Sequence, residues 1–398
     1  MTAHSTTTGQ CGAARTTDPT ALPRQRGRAG WVLAVAATVL PCFAAVAQPA
    51  TAAPAASEAG YRIYAHGFMS DGIVGFNASD TGQPTPIPGR AQTGLPNWPH
   101  AASRDGRFLY AAPAMNPRLI SFTVGPDGGL TPGASMPLPD TPVDITFAPN
   151  GRDGFVTVGA VNASILPIRI DSDGVPSPNG PAVPVGGAVD GLGSAEISPD
   201  GRNLYVASVT GRQLVVFDIH DDGTLSEAQQ RVAGGINTIY PVITPDGRHL
   251  FFTNEISGTV QAFNRADDGT LTEAPGSPYQ AGLLPHIAST TPDGHYLYVP
   301  NMGSSFISSY EIHPDGTLRP MPNVDFAPEP GVNAESSVMS PSGKALWVLG
   351  TDPMRAGEEV LRRFAIGADG TLIRDDSTAR YTGTTVADGR TLTLVPAV

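Results

Sequence analysis

Short apolar runs separated by polar turns recur along this chain from Tyr61 onward, and Ser198 to Leu225 shows the pattern most cleanly: SPDGRNLYVASVTGRQLVVFDIHDDGTL. A tight turn, Pro199-Asp200-Gly201, precedes an apolar run, Asn203 to Ala207. A polar gap, Ser208 to Arg212, leads to a second run, Gln213 to Ile219, which Asp221-Asp222-Gly223 closes. Glycine reaches positive φ freely and Asp tolerably, so D-G between β-rich runs predicts a hairpin. The unit is therefore two hairpins in series.

Copies of it fill the chain. The glycines of the first turn stand at Gly106, Gly151, Gly201, Gly247, Gly294 and Gly343, 45 to 50 residues apart, and Ala387-Asp388-Gly389 reads as a degenerate further copy. The second turn recurs at Asp127-Gly128, Asp173-Gly174, Asp222-Gly223, Asp268-Gly269, Asp315-Gly316 and Asp369-Gly370, with a weaker copy at Asp80-Thr81-Gly82. Four short strands per such period is the signature of a propeller blade. The expected fold is all-β: a seven-bladed β-propeller over residues 61–398, each blade holding four antiparallel strands, A to D from the axis outward. The first blade begins at strand B, Arg62 to Ala65, so its strand A must come from the far end, within Thr382 to Val395. Pairing of the two terminal strands closes the ring and removes its open edge.

This topology sorts the loops. A-to-B and C-to-D turns lie on one face and are stereotyped, hence structural. D-to-A and B-to-C connections lie on the other, where variable loops surround the axial channel, the natural pocket. Residues entering strand A at the mouth are Trp98, Val143, Gly193, Ile239, His286 and Glu335. The ends of strand B add Asn116, Asn254, Glu255, Asn301 and Asp352. His286 is the candidate general base for water attack on an ester or lactone carbonyl, with Glu255 as its partner. Asn254 or Asn301 would hold the carbonyl oxygen through side-chain N–H groups, although Asn after a strand more often bonds loop backbone. Trp98 would wall the substrate and Glu335 would bind it. Glu196, inside a strand A, is either a deep channel acid or the partner of an arginine.

Several of these stretches resemble a known family. SPDGRNLYVAS, NEISGTVQAF and PHIASTTPDGHYLYVPN are similar to the seven-bladed propeller lactonases, which include bacterial 6-phosphogluconolactonase and the fungal carboxymuconate-lactonizing enzyme. The resemblance implies a lactonase-type hydrolase or cycloisomerase and a small-molecule, lactone-like ligand, with Glu255 and His286 lining the site. The family's G-P-R-H stretch is matched by Ile236 to Pro241, where Ile239 and Tyr240 occupy the Arg-His positions. The implied anion-binding arginine is absent there, which sets phosphorylated and carboxylated lactones apart as the doubtful substrates.

Composition narrows the partners. The net charge is −12, with 36 acidic against 24 basic residues, which argues against nucleic acid and anionic membranes. Residues 1–52 read as a signal peptide: Arg24, Arg26 and Arg28, an apolar run from Trp31 to Ala47, then Ala45-Val46-Ala47 or Ala50-Thr51-Ala52 as the cleavage site. Residues 53–60 read as a linker. Both cysteines, Cys11 and Cys42, fall in the leader, so the secreted chain has no thiol chemistry. No G-x-S-x-G, H-E-x-x-H or Walker loop occurs. The expectation is a secreted monomer without cofactor or bound metal. Two rival readings stay open: a non-catalytic binding propeller using the same face, and a hydrolase in which mouth carboxylates hold a divalent metal.

Overall fold

The computed structural model describes residues 60–187, 190–191 and 193–397; the expected signal peptide and, Gly60 apart, the linker lie outside them. The described chain is all-β, with one short 3-10 turn at Pro353–Arg355. Its strands form seven antiparallel sheets, six of them following chain order from the inside outward and the first taking its innermost strand from the end of the chain. Gly193–Ile197, Asn203–Ser208, Gln213–Ile219 and Leu225–Ala233 make the fourth blade, in the A-B-C-D order the repeat predicts. The first blade is closed by Leu392–Pro396, which pairs with Tyr61–Ala65 from Leu392 opposite Ala65 to Pro396 opposite Tyr61. That settles the register of the closing strand.

The turn sequences form for identifiable reasons. In the first turn, Ser198 Oγ accepts from Asn203 N (3.0 Å) and donates to Asp200 Oδ1, while Asp200 Oδ1 accepts from Arg202 N (3.1 Å). The side chains thus satisfy the backbone where the ladder ends. In the second turn, Gly223 sits at φ 76° and a Cβ there would lie 2.6 Å from the Asp153 side chain of the preceding blade, so glycine is required for both reasons.

Apolar packing lies between blades rather than within them. The seven buried clusters of the described residues each bridge one pair of neighbouring blades. The cluster joining the last blade to the first contains Trp347 and Leu361 against Ile63 and Phe76, with Leu392 of the closing strand. Strand-B tyrosines lock these interfaces: Tyr64, Tyr110, Tyr205 and Tyr298 donate to the carbonyls of Gly128, Gly174, Gly269 and Gly370, the second-turn glycines of the next blade. The ring holds its inner strands rigidly around a channel, and the loops at their entry carry the site.

Candidate functional site

A pocket of about 190 Å³ opens at the expected mouth, lined by Trp98, Val143, Ser194, Val209, Asn237, Ile239, Tyr240, Glu255, His286 and Asp388. Glu255 follows strand His249–Asn254 and is held by its own N–H, which donates to Asn237 O (3.0 Å). Asn237, at φ 63°, returns a side-chain hydrogen bond from Nδ2 to Glu255 Oε2. His286 enters a strand A shortened to Ser289–Thr290; its N–H donates to Pro300 O (2.9 Å).

His286 Nδ1 lies 3.1 Å from the backbone carbonyl of Glu335. A carbonyl only accepts, so Nδ1 carries a hydrogen. Nε2 faces Glu255 Oε1 at 3.4 Å and Asp388 Oδ1 at 3.9 Å. The Tyr240 ring meets the imidazole edge-on, with centroids 4.7 Å apart. Burial raises the Glu255 carboxyl above its ordinary range; the His286 charge and the Asn237 hydrogen bond oppose this, and Asp388 adds to it. Tyr240 is pushed well up, first by burial and then by Asp388, Asp144 and Glu255, so its phenol stays protonated. Its φ of 43° and the register shift between Ile239 and Val242 mark a bulge in its strand.

The other expected site residues are placed differently. Trp98 lines the pocket, packed against Phe68. Glu335 is buried, but its contribution to His286 is its carbonyl oxygen; its carboxyl is not in the pocket wall, interacts with Thr351 and is held well above its ordinary range by burial. Asn254 donates to Thr259 Oγ1 and Gln261 Oε1 and accepts from Gly235 N and Thr238 Oγ1. Asn301 donates to Val299 O, Phe306 O and Ser308 Oγ. Both amides fasten the loops behind the pocket, and the structure brings neither to it.

Two residues that the repeat obscured matter here. Ala387-Asp388-Gly389 is not a first turn: it precedes the closing strand, so it lies at the mouth and not on the opposite face. Gly389, at φ 90°, passes Trp98 so closely that a Cβ would meet its carbonyl at 2.7 Å. One residue on, Arg390 reaches to blades three and four, where it donates to Asp144 Oδ2 (3.0 Å), Ala195 O (2.8 Å) and Glu196 Oε2 (3.2 Å). Glu196 is therefore the partner of an arginine. Elsewhere His66 and His100 pair through their Nδ1 atoms, and burial lowers His66 to about 4, so this pair is neutral and structural. Among the described residues, no group of three or more His, Cys, Asp or Glu is disposed to hold a metal ion.

The sequence model of a family described as "Lactonase, 7-bladed beta-propeller" matches residues 181–282, which hold blades four and five and Glu255. A 6-phosphogluconolactonase of Enterobacter sp. (strain 638) is 34% identical over 140 residues, 35% of this chain and 39% of that enzyme. Over these segments the chain is similar to the seven-bladed β-propeller lactonases. Solved structures agree on the fold. A Bacteroides uniformis protein described provisionally as a 6-phosphogluconolactonase superposes with a TM-score of 0.71 at 20% identity, over 85% of this chain and 100% of that one. The periplasmic gluconolactonase of Pseudomonas aeruginosa gives 0.68 at 20% identity, over 85% and 100%.

Proposed function

We propose that this protein opens a lactone by water attack at the channel mouth, with Glu255 and His286 acting as one proton-sharing pair. The observation that carries the reading is the 3.4 Å approach of His286 Nε2 to Glu255 Oε1 inside a pocket, in a chain similar to the propeller lactonases. With Nδ1–H donated to Glu335 O, Nε2 is left facing Oε1, so a proton held between these two atoms can pass from one to the other. The His286 side chain is 1% exposed and that of Glu255 13%, so water reaches the carboxylate first.

The sequence suggested His286 as the base; the geometry favours Glu255 in that role. When the shared proton sits on Nε2, Glu255 takes a proton from water as the water oxygen bonds to the lactone carbonyl carbon. The Tyr240 hydroxyl, kept protonated, donates to the oxygen on which charge develops. The intermediate collapses with cleavage of the ring C–O bond, and His286 Nε2–H protonates the departing ring oxygen. The proton now on Glu255 returns to Nε2, and the pair is restored. Asp388 keeps positive charge on the imidazole favourable. The chain acts outside the cytoplasm in this reading, as the leader suggests, and relatives named gluconolactonase and 6-phosphogluconolactonase support the reaction class.

Glu255→Gln keeps the shape and most hydrogen bonds but removes the base. Lactone hydrolysis followed by acid release should fall by roughly 100- to 10,000-fold, while the melting temperature stays within a few degrees of the wild type. Undiminished turnover in this variant would refute the mechanism. No turnover in the wild type across a lactone panel would leave the binding-propeller reading in its place.

A further inference from the structure

The pocket's charged lining residues are Glu255, His286 and Asp388; no arginine or lysine is among them. Arg390, the cation nearest in sequence, is engaged by Asp144 and Glu196. On the neighbouring loop, Arg212 donates to Gly235 O and does not line the pocket. Two carboxyl groups, those of Glu255 and Asp388, face the single imidazole of His286. A phosphate or carboxylate on the substrate would meet repulsion with no counter-charge.

The rim is apolar instead. The pocket wall includes Trp98, Val143, Val209 and Ile239, and Ile236 and Ile256 adjoin its lining residues Asn237 and Glu255 in the chain. Ile256 directly follows Glu255, and its N–H donates to Ile236 O (3.3 Å), which ties the two isoleucines' backbones together next to Glu255. Leu283 precedes His286 on the next loop. These three are 44%, 63% and 67% exposed for Ile236, Ile256 and Leu283. Large apolar side chains kept in water beside a pocket mark a surface that a ligand covers.

Resting on the lactone reading above, we infer that the substrate is an uncharged lactone whose ring carries an alkyl or acyl chain. The ring sits among Glu255, His286 and Tyr240, and the chain lies along Ile236, Ile256 and Leu283. The apolar wall and the absence of arginine and lysine from the lining favour this class over polyhydroxylated or phosphorylated sugar lactones.

The test compares kcat/KM on δ-lactones with side chains from methyl to heptyl, on glucono-δ-lactone and on its 6-phosphate. The expected result is a rise of about two- to fourfold per methylene over the first carbons, the gain that burying CH2 groups gives, and the lowest value on the 6-phosphate. A flat series, or a higher value on either sugar lactone than on the heptyl compound, overturns the inference. Replacing Ile236 and Ile256 together by serine should cut the heptyl-to-methyl ratio by about tenfold; an unchanged ratio overturns the placement of the chain. If no lactone is turned over, the proposed reaction falls, and quenching of Trp98 by the same compounds then decides this inference alone. Dissociation constants that tighten with chain length sustain it, and constants independent of length overturn it.

Discussion

Glu255 and Asp388 illustrate how a single charge tunes the site. Burial favours the neutral form of the Glu255 carboxyl, and the negative charge of Asp388 pushes the same way. Asp388→Asn removes that second contribution, so Glu255 should ionise at lower pH. As the base is needed in its ionised form, the acid limb of the kcat/KM profile should move to lower pH, read from lactone hydrolysis between about pH 4 and 8. A limb that stays in place or moves up would mean that Asp388 does not act on Glu255. Glu255 and His286 were legible in the sequence because they interrupt the repeat at its mouth positions. Asp388 was not, because A-D-G imitates a first turn, and only the pairing of Leu392–Pro396 with Tyr61–Ala65 shows that it precedes strand A. Asn254 and Asn301 were legible as mouth residues but not as loop fasteners, since sequence position does not reveal which backbone groups an amide satisfies.

At the scale of the element, the blade interface depends on a hydrogen bond that packing alone does not replace. Tyr205 Oη donates to Gly269 O (2.8 Å) and accepts from Arg265 Nε (2.7 Å), and the ring is fully buried. Phe155 and Phe251 fill the matching position of blades three and five, so the fold accepts a phenyl ring there. Tyr205→Phe should therefore cost the price of two unmade hydrogen bonds rather than a cavity, about 1–3 kcal/mol in urea unfolding, with lactone turnover retained because the interface is far from the mouth loops. A loss below about 0.5 kcal/mol would show that water replaces both bonds. The repeat period made the strands and turns of these blades readable in advance. It did not reveal that strand D is split in blades three and five, where Pro178, Pro184 and Pro278 occur in or beside the short pieces. Proline cannot donate to the ladder, and an outer strand tolerates it.

The seven blades of the described residues form a ring, and its closure is a single five-residue strand. Leu392 is buried in the cluster between the last blade and the first, and Val395 in the cluster between the first and second. Ending the chain after Thr391 removes both side chains, opens the ladder along Tyr61–Ala65 and exposes that edge to pairing with other chains. Burial of the two side chains alone is worth about 3–6 kcal/mol, so the truncated protein should unfold at clearly lower urea concentration and aggregate on warming. Activity should fall further than stability. Asp388 and Arg390 sit on the segment that the closing strand anchors, and with the strand gone nothing holds Gly389 against Trp98 or Arg390 between Asp144 and Glu196. Far-ultraviolet circular dichroism at low temperature separates the two effects. A truncated chain with native-like β signal but little lactone turnover would show that the closure assembles the mouth as well as the ring. Full activity in that chain would show that blades three to six hold the site without it.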